Sequence, residues 1–266
     1  MAKSKTFKPE APHGKQRRIP KKEVSPDKSP GITAKRFVER LKAYRSPEEL
    51  KKIQHYFKHG EGDVFIGVRM GQVFALAKEF IDMSPGEIEE LLENPIHEVR
   101  VGGVSIMDFQ ARGKKTPQAR RQELYDLYLR RHDRINNWDL VDRSAPYVVG
   151  SYLFDFDRPH RILYKLARSK VTWERRTAIV STLYFIGKGD VADAFKIAEI
   201  LLKDDQDLIH KATGWALRYA GDKDPQRLLS FLNKHAATMP RTTLRYAIEH
   251  LDKEQRDHYL SMKKVG

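Results

Sequence analysis

Arg100, Trp138 and Arg176 stand 38 residues apart in this chain, and Trp215 follows 39 later. Each lies in a segment that reads as an opening helix: Glu98-Val99-Arg100, Asn137-Trp138-Asp139-Leu140-Val141-Asp142, Trp173-Glu174-Arg175-Arg176 and His210-Lys211-Ala212-Thr213-Gly214-Trp215. Self-similarity at that period marks stacked helical hairpins, each repeat burying its apolar face against its neighbours. Equivalent positions of such a stack fall on one face. The spacing therefore predicts a single groove lined by two tryptophans, an arginine and a carboxylate.

The rest of the chain is consistent with helices. Phe37, Leu41 and Tyr44 share a face, as do Val73, Leu76, Ala77 and Phe80. Ser46-Pro47-Glu48-Glu49 and Ser84-Pro85-Gly86-Glu87 are helix starts with proline in the first turn. Further helices are expected near 98–112, 117–131, 137–153, 158–168, 173–187, 190–203, 207–220, 225–235 and 241–250. Short polar turns such as Gly187-Lys188-Gly189-Asp190 separate them. Only Asp63-Val64-Phe65-Ile66-Gly67-Val68 looks β-like. The fold class expected is all-α, a superhelical solenoid of antiparallel HEAT-like helix pairs with a disordered basic N-terminal arm.

That arm differs in kind from the helical region. Residues 1–36 carry eleven Lys/Arg against Glu10, Glu23 and Asp27, with prolines at 9, 12, 20, 26 and 30. So few apolar side chains cannot offset the entropy of ordering the backbone. The arm reads either as a phosphate tether or as a solubilising tail. The organisation expected is an arm over 1–33, a repeat domain over 34–255 and a C-terminal tail over 256–266. The formal net charge of +14 points to a polyanionic partner, most often nucleic acid. No apolar run reaches about 18 residues and no secretory h-region is present, so no membrane partner and a cytoplasmic setting (nucleoid-associated if bacterial) are expected. The chain has no cysteine, which excludes disulfides, thiolate metal sites and a cysteine nucleophile.

Trp138 and Asp142, at i and i+4, share a helix face. An indole beside a carboxylate suits a cationic ligand; the plainer alternative is a core tryptophan and a helix-start aspartate. Asp139 points elsewhere but favours the positive end of the helix dipole. Arg176 reads as a phosphate ligand, or as one half of an ion pair to Glu174 or a neighbouring repeat. Trp215 follows a glycine that admits close approach of another chain or ligand, the alternative being packing between helix pairs. His55 with His59, and His250-Leu251-Asp252 with His258, are incomplete metal patterns. Neither a metal nor another cofactor is expected.

Taken in order, Tyr56-Phe57-Lys58 with Phe65-Ile66-Gly67-Val68-Arg69, then Trp138-Asp139-Leu140-Val141-Asp142, Trp173-Glu174-Arg175-Arg176-Thr177-Ala178-Ile179 and Lys211-Ala212-Thr213-Gly214-Trp215-Ala216-Leu217-Arg218-Tyr219 resemble the AlkD-type DNA alkylation repair glycosylases over roughly 37–252. The resemblance implies a HEAT-like solenoid that holds duplex DNA in its concave surface. It implies excision of cationic N3- or N7-alkylated purines, such as 3-methyladenine and 7-methylguanine, to leave an abasic site, by a monomer. Carried over residue by residue, Asp142 matches the catalytic aspartate, and Trp138 and Trp215 match the tryptophans flanking the lesion. Arg176 matches the arginine on the nearby phosphate, and Tyr56, in a looser segment, a DNA-contacting tyrosine. Gly60-Glu61-Gly62-Asp63 and the basic arm fall outside the pattern. Two other readings stay open: a non-catalytic DNA or RNA binder on the same scaffold, and a protein–protein scaffold.

Overall fold

The computed structural model describes residues 31–56, 63–157 and 159–262. Of the arm expected over 1–33, residues 1–30 lie outside the described residues, as do His59 and the Gly60-Glu61-Gly62 segment. The chain builds α1 (Ala34–Lys42), α2 (Pro47–Tyr56), α3 (Met70–Glu79), α4 (Pro85–Glu93), α5 (His97–Arg112), α6 (Gln118–Arg130) and α7 (Trp138–Ala145). A π-helical turn (Pro146–Gly150) leads into α8 (Ser151–Phe156), followed by α9 (Arg161–Leu166), α10 (Thr172–Gly187), α11 (Ala192–Leu201) and α12 (Asp207–Lys223). Then come α13 (Pro225–His235), α14 (Arg241–Ala247) and α15 (Lys253–Ser261).

The starts obey capping chemistry. Ser84 Oγ accepts the Glu87 amide at 3.4 Å, ahead of Pro85 in the first turn of α4. The Glu87 carboxylate in turn accepts the Ala34 amide at 2.6 Å, tying the first turn of α1 to α4. Ser46 caps α2 in the same way through the Glu49 amide.

Two layers result. The helices α3, α5, α7, α10, α12 and α14 pack in sequence as one layer, each against the next. The second layer includes α1, α4, α6, α8, α9, α11 and α13, joined to the first through α4–α5, α5–α6, α9–α10, α10–α11, α11–α12 and α12–α13. Apolar side chains such as Phe37, Leu92, Val104, Leu140, Ile179 and Leu217 are buried between them. This is an α-solenoid. No described helix is long and apolar enough to cross a membrane.

Four expectations change. The β-like run forms no strand; it is an extended segment with one bridge, Val64 to Ile96. Its amides bind a side chain instead: Glu98 Oε1 accepts from Ile66 at 3.0 Å, Gly67 at 2.8 Å and Val68 at 3.3 Å. Gly67 holds φ at +77°, and a Cβ there would stand 2.2 Å from the Ser46 carbonyl oxygen, so only glycine fits this turn. The helix expected over 137–153 widens at Pro146, which has no N–H to give the Asp142 carbonyl four residues back, and the chain makes a π turn there. Beyond 255 the chain is no tail over its described part: α15 runs through Ser261, Tyr259 is buried, and its hydroxyl donates to Asn233 at 2.8 Å.

The fourth concerns the repeat itself. The first-layer helices open at His97, Trp138, Thr172 and Asp207, so Arg100, Trp138, Arg176 and Trp215 occupy the fourth, first, fifth and ninth positions of their helices. They share a layer but not a register, because the intervening turns and outer helices differ in length.

A candidate active site on the first helix layer

Asn137 starts α7: its side-chain oxygen accepts the Trp138 amide at 2.8 Å, while its Nδ2 donates to Asp63 Oδ2 at 3.0 Å. Trp138 is therefore held at the first helical position, half-buried. With Met70, Phe74, Val101, Arg69 and Lys52 it walls a largely apolar cavity of about 560 Å³.

Asp139, in the first turn, accepts from His97 Nε2 at 2.7 Å, and Nδ1 of the same fully buried ring donates to Asp63 at 3.2 Å. Burial alone would lower the imidazole pKa, but its bonds to Asp139 and Asp63 overcome that and raise it to about 9. Burial also opposes charge on Asp63, yet bonds from His97, Arg100 and Asn137 hold its carboxyl well below the usual carboxylate range. Arg100, the first residue of the 38-residue series, is buried and bonded to Asp63. Its place is in this network, which pins the loop before α3 to the starts of α5 and α7. Sequence reasoning passed over His97 and met Asp63 only in the β-like run and the loop outside the family pattern. The available signal was a histidine opening a helix directly beside Glu98.

One turn beyond Trp138, Asp142 meets Arg176 in a bidentate pair: Nε to Oδ1 at 2.9 Å and Nη2 to Oδ2 at 2.8 Å. Nη1 of Arg176 donates to the Leu208 carbonyl at the start of α12, so the guanidinium braces α7, α10 and α12 together. Every guanidinium nitrogen thus has a partner within the protein, and the side chain is 6% exposed. The pairing with a neighbouring repeat is present; a phosphate would have to reach the remaining N–H of Nη1 or Nη2. Asp142 keeps 22% of its side chain exposed. Burial raises its pKa above the ordinary aspartate value, against the pull of the Arg176 charge and hydrogen bonds.

Trp215 stands half-buried on α12 and lines a different cavity from Trp138, with Tyr147, Tyr184 and Tyr219. Its neighbour Gly214 does admit a close approach, but by α14: a Cβ there would lie 2.7 Å from the Thr243 carbonyl oxygen. Tyr56 ends α2, and its side chain lies outside the described residues. Of the incomplete metal patterns, His250 bonds Asp222 at 2.8 Å and Asp252 caps α15.

The model of the DNA alkylation repair enzyme family matches residues 37–251, which spans the solenoid from α1 through α14. The chain belongs to that family. Its role therefore lies in the repair of alkylated DNA. A solved structure of a predicted DNA alkylation repair enzyme from Enterococcus faecalis is similar in fold, with a TM-score of 0.65 at 20% identity over 79% of this chain and 97% of the other. No curated protein matches the chain.

Proposed function

We propose that this protein is a DNA-alkylpurine N-glycosylase, hydrolysing the N-glycosidic bond of cationic N3- or N7-alkylated purines in duplex DNA to leave an abasic site. The observation that carries the reading is a partly exposed carboxylate, Asp142, fixed by a bidentate arginine one turn from Trp138. Alkylation at N3 or N7 puts a positive charge on the base, which then departs neutral without a general acid. What remains is to stabilise positive charge growing on the sugar and to orient water toward C1′. A carboxylate preorganised in a partly dry site does the first by electrostatics. Water adds its oxygen to C1′ as the C1′–N bond breaks, and its proton leaves to solvent.

Trp138 and Trp215 flank the lesion nucleotide in this reading, their indole faces favouring a cationic base over a neutral one. Arg176 keeps Asp142 in place and, through its remaining N–H groups, takes a backbone phosphate. Tyr56 contributes a weaker DNA contact.

The test is release of 3-methyladenine and 7-methylguanine from alkylated duplex DNA by the wild type and by Asp142→Asn. The amide keeps the shape and removes the charge, so the rate constant should drop about 10²–10³-fold with DNA binding kept. A wild type that releases no base sinks the reading; a variant as fast as wild type removes Asp142 from the chemistry.

A further inference from the structure

Past Asp142 the first layer carries a second groove, of about 440 Å³, walled by Tyr147, Tyr184, Trp215 and Tyr219. Three of these four aromatics have no part in the proposed glycosylase chemistry. Pro146 and Tyr147 follow Asp142 by one helical turn, open the π turn, and line the groove with residues of α10 and α12. The rings meet edge to face. Tyr147 and Tyr184 lie 5.5 Å apart at 80°, Trp215 and Tyr219 6.0 Å apart at 89°. In each such pair the edge-on ring keeps faces that its partner does not cover. Tyr219 is 44% exposed, and a Cβ at Gly187 on the rim would meet nothing within 4 Å, so the groove is open.

Cations stand beside these rings. Lys188, exposed, is 5.3 Å from Tyr184, while the Arg112 guanidinium covers one face of Tyr147 at 3.6 Å from its centroid and, though its side chain is 43% exposed, is paired through Nε with Asp108. Arg218 is near Tyr219 but is paired with Glu249. Aromatic faces interleaved with exposed cations match the chemistry of unpaired nucleotides, whose bases stack while their phosphates take the charge. A fully paired duplex offers no free base face to such a wall, only backbone.

We propose that this groove stacks an unpaired nucleobase of DNA, so that the protein engages locally unpaired DNA beyond its contacts with duplex. The proposal rests on a DNA-facing first layer, as the glycosylase reading does, but not on the glycosylase step.

The experiment uses undamaged hairpin DNA carrying a single bulged 2-aminopurine, the fully paired hairpin, and the full-length protein. Stacking should quench the 2-aminopurine on binding. The double variant Tyr184→Leu/Tyr219→Leu should lose the quench and bind the bulged hairpin about tenfold more weakly, with paired DNA changed less than about twofold. Tyr184→Phe/Tyr219→Phe, which keeps both rings, should behave as wild type, and decides the matter together with the wild-type quench if the leucine variant unfolds. No wild-type quench, a leucine variant that still quenches, or equal weakening on both DNAs overturns the proposal. Base release from alkylated DNA is followed in parallel. Quench without release would refute the glycosylase reading and leave the groove standing; release without quench would do the reverse.

Discussion

Asp139 and Asp142 sit three residues apart on α7 and meet opposite fates. Asp139 faces back toward α5 and takes part in a chain of charges, Asp139–His97–Asp63–Arg100, in which the histidine, Asp63 and the arginine are almost wholly buried. Asp142 faces forward to α10, has one charged partner, and keeps part of its carboxylate in solvent. In the first cluster burial is outweighed by the partners on both sides of His97 and of Asp63, and Asp63 is held ionised. In the second, burial prevails over Arg176 and pushes the Asp142 pKa up. Under the proposed function the difference separates anchoring from chemistry. A carboxylate in a buried chain of charges fixes a helix start; one held by a single arginine, raised in pKa and still reachable can respond to a positive charge brought to it.

The comparison breaks most sharply at Asp63. Asp63→Asn leaves Arg100 and protonated His97 buried beside an amide, a loss of about 3–5 kcal/mol for a broken buried pair. Urea unfolding should show it as a large drop in midpoint, whereas Asp142→Asn, which keeps an amide oxygen to accept from Arg176 and leaves that guanidinium bonded to Leu208, should shift the midpoint less. Comparable shifts in the two variants would erase the distinction.

The next effect is on pH dependence. His97 is raised from the ordinary histidine value of 6.5 to about 9, so its contribution is fully present below the unfolded value and is lost as pH climbs through about 9. By linkage that is at most roughly 3 kcal/mol between about pH 6 and 10. Asp63 runs the other way: its carboxyl is depressed, so its contribution is present above about pH 4 and fades as pH falls below that. Unfolding free energies across the alkaline range should therefore decline in the wild type and flatten in His97→Gln. An equal alkaline slope in both would mean that the ring is not the titrating group.

How much of this was legible depended on range. Helices, caps and the Trp138–Asp142 face are local matters, and Asn137, Ser84-Pro85 and the i, i+4 spacing carry them. Pro146 was a readable signal of the π turn, since a proline inside a helical pattern removes one donor. The Asp63–His97 link was not readable: it joins an extended loop to a helix start, and no spacing rule relates the two. Arg176 illustrates the middle case. Its pairing with a neighbouring repeat was among the alternatives, but that the partner is Asp142 itself depends on helix lengths between them. For the same reason the 38-residue arithmetic placed Trp138 and Trp215 in one groove, whereas they line separate cavities.

The smallest effect asks whether the anchor also serves the chemistry. Asn137 both caps α7 and donates to Asp63, so with Asp139 it ties the network to the helix that bears Asp142. Asn137→Ala should cost about 1 kcal/mol, the usual worth of a cap, and leave a cooperative unfolding transition. If the network only stabilises the fold, base release per folded molecule will stay at the wild-type rate. If it also sets where α7 begins, Trp138 and Asp142 shift together, and kcat should fall severalfold with KM held, because geometry at the reacting sugar is lost while DNA contacts elsewhere persist. The second outcome is expected. The Trp138 amide is itself the group that Asn137 caps, and Asp142 follows it by a single rigid turn.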